Sequence, residues 1–398
     1  MRISTSNSYA SSLDSLMNRQ TTLSTTQEQM TSGKRVNRAS DDPAAAARSE
    51  RALASERRSV ASQRAVDASS TAMTLTESAL GDAGSLLQQA REAMVSAGNA
   101  TFSDAERATV GDQLADLRAQ LLSVANRSDG SGNHLFGGQG ALQAPFADLP
   151  GGVQYQGTAG PSQAASGEAL PLTLDGTSAW LNARTGNGVF ETRAVTSNGS
   201  AWIDSGNVTD PAAVTGATYS LQFAVSGATT TYSVLKNGLP TAQTNVAFKS
   251  GQAIQVDGMS AAVTGQPANG DSFELAPSTP SLSVFDALDQ AIADLKTSGR
   301  SNSKLAQNNA TDLRNIDAVF GQVSTARSQV GATLNRIDSV TDRLSAVKLA
   351  SQTERSHAED LDMTQAISSF SNQQTGYDAA LKAYSMVQRL SLFNYLST

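Results

Sequence analysis

The stretch SGKRVNRASDDPAAAARSE, residues 32–50, places a glycine and a basic cluster before two aspartates, a proline and four alanines. Gly33 follows an apolar helical stripe and suits the position after a helix C-terminus, where the backbone turns left-handed. Asp41 or Asp42 suits an N-cap, and Pro43 suits the first helical position because its missing N–H is not needed there. The stretch therefore predicts a joint between two helices, formed by Gly33, Lys34, Arg35, Asp41, Asp42 and Pro43.

Two catalytic interpretations of this stretch are weaker than the joint. The Gly33-Lys34 pair lacks the GxxxxGK[ST] spacing and the preceding strand of a phosphate-binding loop. The aspartate pair is more simply explained by helix capping than by acid/base catalysis. The surrounding basic zone contains no aromatic residue from position 10 to 101, so the stacking platforms of single-strand nucleic-acid binders are missing. A solvated face or a face between subunits is the better interpretation of Lys34, Arg35, Arg38, Arg48, Arg51, Arg57, Arg58 and Arg64.

Apolar residues recur every seven positions on both sides of the joint. Leu16, Leu23 and Met30 form one such series before it. A repeat of this kind predicts a long helix with a narrow seam that must be buried against another helix. Comparable series occur only near the two chain ends, so we expect these ends to pack together. A second series is Val66, Met73, Leu80, Leu87 and Met94, and a third is Ile316, Val323, Val330, Ile337 and Leu344. Three positions after each member of the third series lies a member of a fourth: Val319, Ala326, Thr333, Val340 and Val347.

The middle of the chain has a different composition. Of the 31 glycines, 22 lie between positions 130 and 270, and nine of the 10 prolines lie between 145 and 280. Alternating apolar residues around Tyr219–Val225 predict a strand, and Asn237-Gly238 is a strong hairpin signal. We therefore predict an α+β multidomain protein: a long coiled-coil-like helical bundle made from both chain ends, with an antiparallel β domain inserted in the middle.

Composition excludes several function classes. The formal net charge of −7 argues against nucleic-acid binding, which needs a positive field. No apolar run is long enough for membrane insertion. The chain has no cysteine, and its two histidines, His134 and His357, lie in no metal-ligand spacing, so we expect neither a cofactor nor a metal. No catalytic motif is present, so we expect a protein that is not an enzyme.

Several motifs are similar to segments of the flagellin superfamily, including its hook–filament junction proteins. SGKRVNRASDDPAAAA resembles the joint between the terminal helix and the helical rod of these proteins. GNHLFGG at 132–138 and SLFNYL at 391–396 favour a junction protein over flagellin. Further similar segments are VQYQG at 153–157, GQPANGDSFELAPS at 265–278 and VGATLNRID at 330–338.

The resemblance implies a structural role in the bacterial flagellum. Such proteins leave the cell through the flagellar type III export apparatus and assemble outside it. The implied partners are copies of the chain itself in a ring or short helical layer, the neighbouring hook-associated protein 1, flagellin, and an export chaperone that binds near the C-terminus. Flagellin itself, and a secreted adhesin-like binding module, are the alternative functions.

The resemblance also implies a division into three parts. Residues 1–40 and 355–398 would form an inner tube domain, residues 41–140 and 281–354 a helical rod, and residues 141–280 an outer β-rich domain. Apolar residues of the inner part are the predicted assembly interface because exposed apolar clusters usually mark interaction sites. They are Leu16, Leu23, Met30, Tyr377, Leu381, Leu390, Leu392, Phe393 and Leu396.

Overall fold

The computed structural model describes residues 5–139, 143–164 and 168–396, without the side chains of residues 5–8 and 387–396. The chain divides into two compact units. Unit 1 comprises the chain up to Arg64 and from Val340 onward, and unit 2 comprises Ala65–Ser339. The finer division into three parts stays a prediction. Among the described helices, none is long and apolar enough to cross a membrane.

Helices occupy both ends of the described chain. Their bounds are α1 Thr5–Ser32, α2 Pro43–Ala97, α3 Asp104–Ala125, α4 Gly176–Trp180, α5 Val284–Lys296, α6 Asn302–Glu359 and α7 Met363–Leu396. The break between α1 and α2 lies where the glycine and proline signals predict it. In unit 1, α1 and α7 lie against each other, as expected for the two chain ends.

The seven-residue series are buried in unit 2. On α2, Val66, Met73, Leu80, Leu87 and Met94 are each at most 1% exposed. On α6 the series is buried through Ile337. Two ion pairs connect α2 and α6 beside these series. Arg91 Nε lies 2.6 Å from Asp317 Oδ1, and Arg327 Nε donates to Glu77 Oε1 at 2.7 Å.

The part of the α6 series that belongs to unit 1 is less buried. Val340 is buried, but Leu344 is half-buried and Val347 is 41% exposed. The seven-residue series of α6 is therefore less buried at its C-terminal end than in unit 2. A seven-residue repeat describes the helix alone, and burial also needs a neighbour at every turn.

The shorter helices α3 and α5 pack against each other. Ser103 and Glu106 form a capping box at the start of α3. Leu114, Leu117, Leu121 and Val124 of α3 are buried, as are Phe285, Leu288 and Leu295 of α5.

An aromatic cluster joins the segment after α3 to α5. This segment contains β1 Phe146–Leu149, β2 Gly152–Tyr155 and α4, and ends at β3 Ala183–Arg184. The rings of Phe136 and Trp180 meet edge to face at 5.3 Å, and Trp180 stacks on Phe285 at 6.0 Å. Phe146 contacts both Trp180 and Phe285. Phe146 and Trp180 therefore share a core with Phe285 of α5.

Apart from β14, which pairs with β3, the remaining strands form two antiparallel sheets. One has the order β10-β8-β7-β13-β4 with β9 beside β8, and the other has β11-β12-β5 with β6 beside β12. Both sheets contribute to one hydrophobic core, which includes Phe190, Ile203, Phe223, Val263 and Phe273. The bounds are β4 Phe190–Thr196, β5 Trp202–Ile203, β6 Asn207–Val208, β7 Tyr219–Ser226, β8 Thr229–Lys236, β9 Leu239–Pro240, β10 Val246–Ala247, β11 Ala253–Val256, β12 Met259–Thr264, β13 Ser272–Pro277 and β14 Pro280–Leu282.

The predicted hairpin around residue 237 is present. Asn237 and Gly238 have positive φ of 50° and 81°, which fits the turn type that matches the twist of paired strands. They connect β8 to β9. The predicted α+β fold, with helical ends and a central antiparallel β domain, is confirmed.

Candidate functional site

The two breaks in the long helices of unit 1 lie side by side. Gly33 has φ of +69°, a left-handed conformation that favours glycine. Its carbonyl accepts the N–H of Leu361 at 3.0 Å, and the N–H of Arg35 donates to the Glu359 carbonyl at 2.7 Å. Lys34 and Asp360 form the antiparallel bridge between these bonds. The joint after α1 is therefore hydrogen-bonded to the joint between α6 and α7.

Glu359 is the centre of the polar contacts at this paired joint. Its side chain is 17% exposed, and its Oε1 lies 3.2 Å from Lys34 Nζ. Ser49 donates its hydroxyl to Glu359 Oε2 at 2.8 Å. Arg35 lies 3.2 Å from Asp42 Oδ2 and donates to the Ala358 carbonyl at 2.9 Å. Apart from the pair Arg35–Asp42, these contacts connect residues more than 300 positions apart.

The aspartate pair of the joint acts on the backbone. Asp42 Oδ1 accepts the N–H of Ala45 at 2.9 Å, the N-cap bond of α2. This N–H and the guanidinium of Arg35 lower the pKa of Asp42. The backbone N–H groups of Arg38 and Asn37, which both donate to Asp41, lower the pKa of Asp41. Both carboxylates are ionised at neutral pH, as suits caps that accept hydrogen bonds.

Polar contacts join the two terminal helices. Thr26 donates its hydroxyl to Gln373 Oε1 at 2.9 Å. The rings of Tyr9 and Tyr384 lie 5.4 Å apart, and their hydroxyls are hydrogen-bonded. A Cβ at Gly376 would stand 2.8 Å from a guanidinium nitrogen of Arg19. The glycine in α7 thus leaves room for a side chain from α1.

The predicted interface residues differ in exposure. Leu16 is 8% exposed, Leu23, Met30 and Tyr377 are half-buried, and Leu381 is 41% exposed. The side chains of Leu390, Leu392, Phe393 and Leu396 lie outside the described residues. Other exposed apolar residues of α1 and α7 extend the surface: Tyr9, Leu13, Met17, Met363, Ile367 and Met386.

Several residues of the site were missed by sequence reasoning. Ser49 and Gln373 are polar residues within helices, and nothing local shows that they contact the opposite chain end. Gly376 gave an unused signal, since a glycine inside a helix often marks a close approach. Within the described part of the chain, no group of three His, Cys, Asp or Glu residues is placed to hold a metal ion.

The chain matches known proteins at both ends. The bacterial flagellin N-terminal helical region matches residues 3–141, and the bacterial flagellin C-terminal helical region matches residues 313–396. Together these matches cover more than half of the 398 residues. The chain belongs to the flagellin superfamily.

Relatives of this flagellin-superfamily chain extend over its whole length. It is 27% identical to flagellar hook-associated protein 3 of Escherichia coli (strain K12), over 99% of both chains. It is 28% identical to flagellar hook-associated protein 3 of Salmonella typhimurium, again over 99% of both chains. The crystal structure of flagellar hook-associated protein 3 from Legionella pneumophila superimposes with a TM-score of 0.70 at 26% identity, covering 77% of this chain and 96% of that one. The resemblance seen in the sequence is confirmed.

Proposed function

We propose that this protein is a structural component of the bacterial flagellum that joins the hook-associated ring to the flagellin filament. The observation that carries the proposal is similarity over the full chain to proteins named flagellar hook-associated protein 3. The fold supports it, because both chain ends are helical and the β domain is inserted between them. The role is mechanical, and the proposal includes no catalytic step.

Unit 1 offers the surface for stacking copies. α1 and α7 leave apolar side chains exposed, among them Met17 at 50%, Ile367 at 54% and Met386 at 62%. Burying one such side chain contributes about 1.5–3 kcal/mol. Each contact is repeated in every subunit of a ring or helical layer, and a head-to-tail contact generates such assemblies. Stacking would then offset the entropy cost of ordering the terminal helices.

The proposal includes the partners and route that the resemblance implies. Copies of the chain form the layer, hook-associated protein 1 lies on one side and flagellin on the other. A chaperone binds near the C-terminus before export through the flagellar type III apparatus. In the three-part division, residues 1–40 and 355–398 line the tube, residues 41–140 and 281–354 form the rod, and residues 141–280 lie outermost.

Deletion of the gene in a flagellated strain tests the role. We expect hooks without filaments by electron microscopy, and filament growth after purified protein is added to those cells from outside. Normal filaments in the deletion strain would exclude the junction role. Polymerisation of the purified protein alone into long filaments would instead favour flagellin, and surface display independent of any flagellum would favour an adhesin-like module.

A further inference from the structure

The basic zone around the joint divides into two groups in the structure. Lys34, Arg35 and Arg38 are each paired with a carboxylate of unit 1. The arginines further along α2 have no such partner within the described residues. These are Arg48, Arg51, Arg57, Arg58 and Arg64, and all five are exposed.

Three of these arginines share one side of α2. At about 100° per residue, Arg48, Arg51 and Arg58 lie within an arc of roughly 80°. We call these three residues the arginine stripe. The nearby carboxylates do not neutralise the arginine stripe. Glu56 Oε1 accepts a hydrogen bond from Gln352 Nε2 at 2.8 Å, and Glu56 Oε2 lies 3.6 Å from a guanidinium nitrogen of Arg355. The intervening Glu50 is exposed and forms no ion pair within the described chain.

Charge is distributed unequally between the two units. Unit 1 carries 15 Lys and Arg against 12 Asp and Glu, whereas unit 2 carries 14 against 24. Like charges on neighbouring turns of a helix destabilise it slightly unless something compensates them. A surface rich in carboxylates is the complement, because guanidinium binds carboxylate through two parallel hydrogen bonds. Unit 2 of another copy, with 24 Asp and Glu against 14 Lys and Arg, is the more acidic of the two units.

We propose that the arginine stripe docks on carboxylates of unit 2 in a second copy of the chain. The inference rests on the proposed function, in which copies stack side by side. Complementary charge sets the rate and register of such a contact more than its affinity. The apolar side chains of α1 and α7 would supply the affinity, and the stripe would select the orientation of the incoming subunit.

Charge reversal tests the stripe. R51E/R58E protein, added to hook-bearing cells that lack the gene, should restore at least tenfold fewer filaments than unmodified protein. R51K/R58K keeps the charge and should restore filaments in normal number. K249E/K304E makes the same change in net charge at exposed positions of unit 2 and should act like unmodified protein. If R51E/R58E fails to fold, R51Q/R58Q removes the two charges without reversing them and should also restore fewer filaments than R51K/R58K.

Cross-linking identifies the surface that contacts the arginine stripe. The Arg58→Lys variant places an amine that carbodiimide joins to a nearby carboxylate. In layers grown from equal amounts of ¹⁴N- and ¹⁵N-labelled protein, we expect peptides that join position 58 of one isotope to Asp or Glu of unit 2 of the other. Cross-links only within one copy, or to a different protein, would overturn the proposal.

The outcomes separate the two proposals. If unmodified protein restores no filaments to hook-bearing cells, the proposed function fails and the inference falls with it. If unmodified and R51E/R58E proteins restore filaments equally, the inference fails and the proposed function stands.

Discussion

Two glycine positions show how one residue type meets different demands. At Gly138 the backbone is left-handed, with φ of +65°, and an added Cβ would overlap the carbonyl oxygen of Thr158. Gly321 lies within α6, where no atom of another described residue outside the local helix backbone lies within 4 Å of an added Cβ. The first position requires glycine, whereas the second gains nothing from it.

The same substitution should therefore act in opposite directions. Gly138→Ala should lower the free energy of unfolding of unit 2 by about 2–4 kcal/mol, because it adds both backbone strain and overlap. Gly321→Ala should raise it by about 0.5–1 kcal/mol, because alanine favours a helix interior. Denaturant unfolding of both variants checks this, and a destabilised Gly321→Ala variant would contradict it.

A buried carboxyl makes the stability of unit 2 depend on pH. Asp312 is 1% exposed and its Oδ1 has no hydrogen-bond partner in the described structure. Burial, and then the negative charge of Asp294, raise the pKa of Asp312 to about 8, while Arg300 and Arg314 act in the opposite direction. Folded Asp312 therefore keeps its proton at pH values where the unfolded chain has lost it.

The sign of the effect follows from this difference in protonation. Between about pH 4 and pH 8 the folded state binds more protons at Asp312, so its contribution to stability falls as pH rises, by about 1.4 kcal/mol per pH unit. Asp312→Asn imitates the protonated form, so it should match the unmodified protein near pH 4 and be several kcal/mol more stable at pH 8. Unfolding curves across this range check it, with exposed Asp116→Asn as the control. A constant difference between Asp312→Asn and the unmodified protein would contradict it.

At the scale of elements, the terminal helices differ from α2 and α6. Among the described side chains of α1, only Leu16 and Thr26 are buried, and in α7 only Ala366 is. Isolated helices are marginal in water, and most of their stability in proteins comes from packing an apolar face. We therefore expect α1 and α7 to contribute little to the stability of the free monomer and to depend on assembly.

Replacing Leu392 and Phe393 together by serine tests this expectation. The double variant should lose incorporation at the hook, while the melting temperature of the free protein stays nearly unchanged. Leu239→Ser, at a 71% exposed position of β9, should affect neither. A large fall in melting temperature for the double variant would show that the tail stabilises the monomer. Adding protein from outside the cell removes export as a cause of failure.

At the scale of the whole molecule, the contacts decide where the β domain can be removed. Phe146 and Trp180 lie in the aromatic cluster with Phe136 and Phe285, so a deletion from about 140 to 280 would open that core. β3 and β14 pair with each other, with Arg184 opposite Pro280. The chain between β3 and β14 contains the two antiparallel sheets with their shared core, called the sandwich below.

A deletion of residues 185–279, closed by a short turn, should fold and still incorporate at the hook. The sandwich has its own core, and the proposed stacking surface lies in unit 1. The matched deletion from 141 to 280 should melt at a lower temperature because Phe146 and Trp180 are lost. If the 185–279 variant folds and is added from outside but never incorporates, the sandwich makes essential contacts between subunits.

The sequence by itself determined the local features of this protein. Gly33 and Pro43 constrain their own backbones, so the helix break was visible without a structure. Asn237-Gly238 fixes its own turn in the same way, and the series from Val66 to Met94 lies within one helix. Each of these signals lies within one continuous segment of chain, so it can be read without knowing which other segments pack against it. The resemblance of the chain ends also came from continuous segments.

Only the tertiary structure decided which distant residues meet. It placed Lys34 beside Glu359, brought Trp180 onto Phe285, and directed Gln307 of α6 to the backbone N–H of Ile203 at 2.7 Å. It also separated the paired cations of the joint from the arginine stripe of α2, which has no ion-pair partner among the described residues. Such pairings depend on the packing of whole elements, and many polar residues in a helix are equivalent until a neighbour is in place.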